Sequence, residues 1–342
     1  MEKSELVNSK KVFVESGGVR LPCVDVAKGL GLILVIYGHL LYNGTWGFVN
    51  RAIYSFHMPM YFILSGYVAH EKKEDTFSFI KRKAYELLIP AFIFIVLILP
   101  YSCGMNIIAI IKEITFWKGT IWNAPVWFLI VLFQVYIIFD MTNLIKKSVL
   151  QKIVFVILTF VVGFIIYRYL IWLPFGLPKT VVALGFYMIG NIFKEVEGKF
   201  TVRKKQIILI VSCLVWFYTG CILNSKVSMY GFELGNYWYF ILSGISGSIV
   251  WFGVSYLLRN VKTFQKWGQN TIFVVCTHYM GVAVVTKITD ILKINGTIYF
   301  DLLALVLSFI AMFVYMPICD WINKNMPILV GRKSSEKCRK LY

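Results

Sequence analysis

Long apolar runs dominate this chain and determine the solvent in which most of it folds. Runs of about 17 to 22 residues recur between Val24 and Ile318, and a helix of that length crosses the roughly 30 Å hydrocarbon core of a bilayer. Hydrophobic residues make up 58% of the 342 residues and charged residues only 15%, which is more apolar than a water-soluble domain. The alternating pattern of an outer-membrane β-barrel is absent. The sequence therefore predicts an all-α, polytopic transmembrane bundle.

We predict ten transmembrane helices in one membrane domain, residues 24–318, between a tail at 1–23 and a basic tail at 319–342. The predicted spans are 24–42, 52–69, 85–103, 123–141, 151–170, 178–194, 206–223, 237–258, 271–287 and 298–318. An even number of spans puts both termini on one side. If that side is the cytoplasm, inner segments hold 26 of the 35 Lys and Arg, as expected for short cytoplasmic loops. Both tails are therefore expected in the cytoplasm.

The segment 104–122 is the exception to this pattern. Its apolar stretch, from Ile107 to Trp117, is too short for a span. It predicts an interfacial or re-entrant helix outside the membrane core.

The net charge of +18 raises the question of a nucleic-acid partner. The basic residues lie in short loops between apolar runs, so the lipid bilayer is the expected partner and nucleic acid is not. The seven cysteines include no CxxC pair, which makes a disulfide or metal framework improbable. No P-loop, GxGxxG or GxSxG motif is present, which argues against nucleotide, dinucleotide and soluble-hydrolase chemistry.

The first predicted helix carries three ionisable residues that do not belong in lipid: Asp25, Lys28 and His39. Lys28 and His39 are eleven residues apart, which is three helical turns plus about 20°, so they share one face and are separated by about 16 Å. Asp25 lies within about 60° of both. This stripe is a candidate site, although Asp25 and Lys28 are also compatible with an ion pair that snorkels at the helix end.

The second predicted helix places His57 at a depth similar to that of His39. Two facing imidazoles can supply a general base, since imidazole titrates near neutral pH. Two histidines are too few for a structural zinc site, and no metal is expected. Ser65 allows close packing deeper in the membrane. His278, in the ninth predicted helix, is compatible either with an interhelical hydrogen bond or with a supporting role in chemistry.

A basic loop follows the second predicted helix on the side of Lys28, with its basic residues at Lys72, Lys73, Lys81, Arg82 and Lys83. The positive-inside rule and anionic lipid account for such a loop. The alternative interpretation is a binding site for a phosphorylated cytoplasmic donor, contributed by Arg82 and Lys83.

Several segments in this order resemble the acyltransferase-3 superfamily of integral membrane O-acyltransferases, close to its fucose 4-O-acetylase-like branch. They are VDVAKGLGLILVIYGH at 24–39, SFHMPMYFILSGY at 55–67, KRKAYELLIP at 81–90, APVWFLIVLF at 124–133, LGFYMIGNIF at 184–193 and NTIFVVCTHYM at 270–280. In the family pattern a basic residue, often Arg, precedes the catalytic first-helix His by eleven positions. Here those positions are Lys28 and His39. Glu86 departs from the pattern, because many members have a basic residue there.

The resemblance implies about ten helices in a bacterial cytoplasmic membrane and an acyl group, commonly acetyl, moved from cytoplasmic acyl-coenzyme A to an acceptor at the outer face. Coenzyme A is then a donor substrate and not a bound cofactor. We expect Asp25, Lys28, Arg82 and Lys83 to bind the donor, His39 to act as the base and His57 to position the acceptor or stabilise charge on the thioester oxygen. Trp127 is a weaker candidate on the acceptor side.

Two other functions remain open. A transporter of a lipid-linked or polymeric sugar also needs intramembrane charges, although no inverted repeat is apparent and the polar groups concentrate in the first two helices. A membrane sensor without turnover is the third possibility. The expected acceptor is a hydroxyl of a cell-envelope sugar, but the sequence fixes neither its identity, nor the acyl group, nor the oligomeric state.

Overall fold

A computed structural model describes residues 21–41, 47–72, 74–102, 106–293 and 297–333, together with the backbone of a two-residue strand pair, β1 (Val14–Glu15) and β2 (Gly18–Val19). The other residues of both predicted tails lie outside the described residues. So does the last residue of two predicted spans, 24–42 and 85–103. The helices are α1 (Pro22–Leu41), α2 (Phe48–Tyr54), α3 (His57–Tyr67), α4 (Thr76–Lys83), α5 (Ile89–Ser102), α6 (Ile107–Ile114), α7 (Trp127–Met141), α8 (Val149–Arg168), α9 (Leu177–Val196), α10 (Val202–Trp216), α11 (Tyr237–Leu257), α12 (Lys262–Gln269), α13 (Thr271–Ile291) and α14 (Ile298–Asn325).

Within the described residues, nine helical stretches are long and apolar enough to cross a membrane. The prediction of an all-α polytopic bundle is therefore confirmed. The stretches include a π-helical turn, Ala84–Leu88, that joins α4 to α5 and another, Phe217–Leu223, that extends α10. Ala124–Val126 adds a 3₁₀ turn to the start of α7.

The predicted second span, 52–69, is not one continuous helix. It consists of α2 and α3, which are separated at Ser55 and Phe56. Phe56 has φ −138° and ψ −21°, outside the helical region. Pro59, in the first turn of α3, has no backbone N–H to donate, and a helix tolerates proline at that position because the first N–H groups have no partner within the helix. The break makes His57 the first residue of a buried helix.

Helix α1 is the centre of the bundle. In its most apolar 18 residues 78% are buried, against 22% for the stretch that contains α10. Helix α1 is therefore enclosed by protein, whereas α10 is mostly exposed, as expected for a helix that faces lipid. The tyrosine hydroxyl of Tyr61 in α3 donates to the carbonyl of Lys28 at 2.9 Å, and the indole of Trp251 in α11 donates to the carbonyl of Ala27 at 3.1 Å. Neighbouring helices thereby fix the depth and rotation of α1.

The connections gather at two ends of the bundle. At one, which we call the basic end, ion pairs join segments distant in sequence: Lys72–Asp140 at 2.6 Å, Lys146–Glu71 at 3.0 Å and Lys266–Asp320 at 2.6 Å. At the other, the far end, Tyr230 donates to the carbonyl of Ile121 at 2.6 Å and Tyr167 to that of Gly235 at 3.0 Å. Helix α1 begins at the basic end and ends near the far end.

Three segments predicted as loops or tails are helical. Lys81, Arg82 and Lys83 form the last turn of α4, whose N-cap, Asp75, accepts from the backbone N–H of Ser78, and hydrogen bonds from Ser78 hold the pKa of that carboxyl below its usual value. Helix α12 lies in the predicted loop 259–270. Helix α14 continues to Asn325, past the predicted end of the membrane domain at 318, because residues such as Cys319 and Ile322 are buried against the bundle.

The segment 104–122 is described from residue 106 onward. It contains the eight-residue helix α6, which is capped by the side chain of Asn106. Eight residues span about 12 Å, too little to cross a membrane. Ile107, Ile108 and Ile111 form an exposed apolar face, as in a helix that lies in the membrane interface.

Candidate active site

A cavity of about 270 Å³ lies beside α1, between α3, α7, α13 and the segment that precedes α11. Its wall includes five of the nine residues that we singled out as site candidates: Lys28, His39, His57, Ser65 and Trp127. The helical spacing correctly placed Lys28 and His39 on one face, since both line this cavity. Their separation of eleven residues corresponds to about 16 Å along α1, so the cavity extends through much of the depth of the bundle.

His39 lies in the last turn of α1 and is partly exposed. Three aromatic rings surround its imidazole. The ring centres of Tyr279 and His278 are each 5.3 Å away, and that of Tyr54 is 6.4 Å away. The imidazole is therefore packed on several sides, and its remaining surface is open to the cavity.

His57 is held in a defined orientation by the helix break. Its Nδ1 lies 2.9 Å from the carbonyl oxygen of Ile53, one turn earlier in α2. Because a carbonyl oxygen can only accept, Nδ1 carries the hydrogen, and in the neutral ring the lone pair is on Nε2. The ring of Tyr54 packs edge-on at 5.0 Å. His57 therefore offers a hydrogen-bond acceptor to whatever occupies the cavity.

Lys28 lines the part of the cavity nearest the basic end. Its backbone carbonyl accepts a hydrogen bond from the Tyr61 hydroxyl at 2.9 Å, whereas the Ser65 hydroxyl donates to the Tyr61 carbonyl at 2.8 Å within α3. Ser65 also contributes to the cavity wall. The bond from Tyr61 to Lys28 therefore joins α3 to α1 beside the cavity.

Asp25 does not line the cavity. Its carboxylate accepts from the side-chain amide of Gln269 at 3.2 Å, at the end of α12. Helix α12 lies against α1 at this point, since a Cβ on Gly29 would come within 2.8 Å of the Gly268 nitrogen and 2.9 Å of the Trp267 Cβ. Asp25 thus contacts α12, a helix that the sequence did not predict.

Arg82 and Lys83 are also outside the cavity wall. Arg82 forms ion pairs with Glu74 at 2.5 Å and Glu86 at 3.0 Å, and Lys83 pairs with Glu86 at 2.6 Å. Glu86 therefore pairs with both of its basic neighbours. The Lys83 ammonium lies 4.8 Å from the centre of the Tyr136 ring, and Tyr136 does line the cavity. One aromatic ring separates Lys83 from the site.

His278 lies behind His39, away from the cavity. Its side chain is 2% exposed, and Nδ1 is 2.8 Å from the carbonyl oxygen of Val274 in the same helix. The predicted interhelical hydrogen bond is therefore not formed through Nδ1, which bonds within α13.

Several residues of the cavity wall were not anticipated from the sequence. They include Tyr54, Tyr61, Tyr136, Ser228, Tyr230 and Tyr279. Tyr279 follows His278 directly and Tyr54 precedes His57 by three residues, which is a usable signal. Tyr230 belongs to a connection between helices, and its hydroxyl donates to the Ile121 carbonyl, a tertiary contact without a sequence signature.

A buried lysine lies behind the far-end wall of the cavity. Lys179 is 4% exposed, donates to the carbonyl of Gly119, and lies 5.3 to 5.7 Å from the ring centres of Tyr230, Trp127 and Phe116. Cation–π contacts of this kind stabilise a charge that has few polar partners. Lys179 thereby anchors the two aromatic residues, Trp127 and Tyr230, that face the cavity.

A bundle of membrane-length helices with two imidazoles and an ammonium group along one buried cavity defines an integral membrane protein with a potential for acid–base chemistry. The chain belongs to the acyltransferase-3 family, since the family model, described as an acyltransferase domain, matches residues 21–317. The protein is therefore a membrane acyltransferase. No curated protein and no solved structure matched the chain.

Proposed function

We propose that this protein transfers an acyl group, most simply acetyl, from cytoplasmic acyl-coenzyme A to a hydroxyl of a cell-envelope sugar or polysaccharide at the outer face of a bacterial cytoplasmic membrane. The observation that carries the proposal is that the same cavity is lined by Lys28 at one level and by His39 and His57 at another. A long thin substrate that is anionic at one end and reactive at the other matches this arrangement.

The donor enters from the basic end in this proposal. The adenosine phosphates stay near the ammonium of Lys28 and the basic residues of α4, where charge attraction favours them. The pantetheine arm extends along the roughly 16 Å between Lys28 and His39. The thioester then lies next to the imidazoles, shielded from bulk water. The Lys and Arg distribution, with 26 of 35 on one side, supports a cytoplasmic basic end.

His39 is the general base. It removes the proton from the acceptor hydroxyl as that oxygen attacks the thioester carbonyl carbon, which gives a tetrahedral intermediate. Collapse of the intermediate forms the ester and breaks the carbon–sulfur bond. The coenzyme A thiolate leaves and takes the proton from the His39 imidazolium, which restores the neutral imidazole. Every proton is accounted for without a further reactant.

His57 positions the acceptor. Its Nδ1–H is committed to the Ile53 carbonyl, so the neutral ring presents only an acceptor to the cavity. That geometry suits a hydrogen bond from a second hydroxyl of the acceptor better than donation to a developing oxyanion. A sugar with neighbouring hydroxyl groups satisfies both histidines at once, and Trp127 and Tyr230 provide apolar ring faces on the far-end side.

The test uses membrane vesicles that contain the wild-type protein, His39→Ala or His57→Ala at matched levels, supplied with radiolabelled acetyl-coenzyme A and extracted envelope glycans. Loss of a general base costs roughly 10²- to 10⁴-fold in rate, so His39→Ala is expected to lose labelled glycan almost completely. His57→Ala is expected to raise the acceptor KM. Full transfer by both variants would contradict the scheme. Absence of labelled glycan with every acyl donor, together with sugar flux in liposomes, would indicate a transporter instead.

A further inference from the structure

The imidazole of His278 has one nitrogen whose partner is missing. Nδ1 bonds the Val274 carbonyl at 2.8 Å, so it carries the hydrogen, and the neutral ring has its lone pair on Nε2. Nε2 is buried and has no hydrogen-bond partner among the described residues. Buried polar atoms in proteins are nearly always paired. An unpaired acceptor fixed in orientation by its own helix therefore indicates a donor that is supplied during function.

The neighbour of this acceptor is the proposed base. The ring centres of His278 and His39 are 5.3 Å apart, with an angle of 44° between the ring planes. Two imidazoles joined by a nitrogen-to-nitrogen hydrogen bond of about 3 Å have their centres roughly 5 Å apart. A small rotation of the His39 side chain is thus enough to direct one of its nitrogens at His278 Nε2. His278 is not part of the cavity wall, whereas His39 is.

We propose that His278 is the positioning residue of the base: its Nε2 accepts a hydrogen bond from one N–H of His39 and leaves the other His39 nitrogen unprotonated toward the acceptor hydroxyl. A general base needs a third group that selects its tautomer and orientation. This inference rests on the proposed function, because it assigns His278 a role in the same proton transfer.

The proposed hydrogen bond from His39 to His278 becomes stronger during the reaction. When His39 takes the proton of the acceptor hydroxyl, both of its nitrogens carry hydrogen. The hydrogen opposite the substrate then points at the lone pair of His278, which makes a charge-assisted hydrogen bond. The proton returns to the coenzyme A thiolate from the substrate-side nitrogen. His278 therefore neither gains nor loses a proton over the cycle, and its contribution is to hold and stabilise His39.

Two substitutions separate this role from simple packing. His278→Phe keeps a planar ring in a buried site but removes Nε2. His278→Gln places a side-chain amide oxygen, also an acceptor, near the position of Nε2. We expect His278→Phe to lower kcat by at least about tenfold with the KM for acetyl-coenzyme A unchanged within twofold, and His278→Gln to recover most of that loss. Exposed His70 at the basic end supplies the matched control, His70→Gln.

The assay uses purified full-length protein in detergent, with acetyl-coenzyme A and an extracted envelope glycan fraction, and measures release of coenzyme A thiol. Only variants that elute as a single species at wild-type yield in size-exclusion chromatography are compared. Equal loss in His278→Phe and His278→Gln, or a His278→Phe rate within twofold of wild type, would overturn the proposal. If the wild type and His39→Ala released thiol at the same rate, the proposed function itself would fail, which is a different result.

Discussion

In the proposed mechanism, the donor half of the site depends on one lysine in a helix that is otherwise almost uncharged. Lys28 lines the cavity near the basic end, and its backbone is fixed by the hydrogen bond from Tyr61. Arg82 and Lys83 lie outside the cavity wall and are paired with Glu74 and Glu86. A phosphate would have to compete with these carboxylates for Arg82 and Lys83. In the proposed mechanism, Lys28 is therefore the principal donor contact within the cavity.

Removing this charge should weaken donor binding specifically. A charge-assisted hydrogen bond contributes about 1.5–3 kcal/mol, so Lys28→Met is expected to raise the KM for acetyl-coenzyme A by about tenfold or more with little change in kcat. Lys28→Arg keeps the charge and adds a bidentate fork, and it should retain a low KM. Initial rates at varied donor concentration measure both.

Lys266→Ala is the matched control, since Lys266 lies at the same end, pairs with Asp320 and is about half exposed. It should leave the donor KM unchanged. An equal KM for Lys28→Met and wild type would remove Lys28 from the donor site.

At the scale of helices, the position of His57 depends on how closely α3 approaches α9. A Cβ on Gly66 would overlap the backbone carbonyl of Tyr187, and one on Gly190 would come within 2.8 Å of the Tyr67 nitrogen. Small residues permit this backbone contact, which is a main source of helix association in membranes. Since α3 begins at His57, the contact between α3 and α9 helps to fix the position of His57.

Adding one methyl group at either glycine should disrupt this packing. Overpacking costs about 1–3 kcal/mol, and we expect Gly66→Ala and Gly190→Ala to lower the apparent Tm in detergent by several degrees. Gly281→Ala is the control, because a Cβ there meets nothing within 4 Å, and alanine favours a helix more than glycine does. A decrease in apparent Tm for Gly281→Ala as large as that for Gly66→Ala and Gly190→Ala would contradict the packing description.

Helix existence was predictable from the sequence to the extent that it follows from length and apolarity. The nine membrane-length stretches satisfy that rule. The break between α2 and α3 was not predicted, because the run that contains it is mostly apolar and hydropathy does not report backbone hydrogen bonds. Helix α12 was not predicted because it is neither long nor apolar. It has only eight residues and a polar composition, yet it places Trp267 at 0% exposure against the bundle.

The candidate site was predictable where it follows helical periodicity. The eleven-residue spacing put Lys28 and His39 on one face, and both line the cavity. Contacts between distant segments were beyond that reasoning. The sequence does not show that Asp25 bonds Gln269, that Glu86 pairs with Arg82 and Lys83, or that Tyr230 reaches the cavity. Each of these depends on tertiary packing, which local patterns do not encode.

At the scale of the whole molecule, the cavity extends between two ends of the bundle that carry different kinds of residues. Lys28 marks its level nearest the basic end, whereas Ser228 and Tyr230 belong to the connection before α11 at the far end. Trp117 and Trp172, 5.5 Å apart and exposed, also lie at the far end, as aromatic residues do at a membrane–water interface. The proposed reaction therefore has its donor and acceptor on opposite sides of the bilayer.

Acyl transfer across the membrane is the most direct test. Purified protein is reconstituted into liposomes that enclose an extracted envelope glycan, and radiolabelled acetyl-coenzyme A is added outside, in parallel with liposomes that contain His39→Ala. We predict labelled glycan inside the liposomes with the wild type and none above background with His39→Ala. Equal labelling by His39→Ala, or labelling only when donor and glycan share one compartment, would contradict a single cavity that joins two sides through His39.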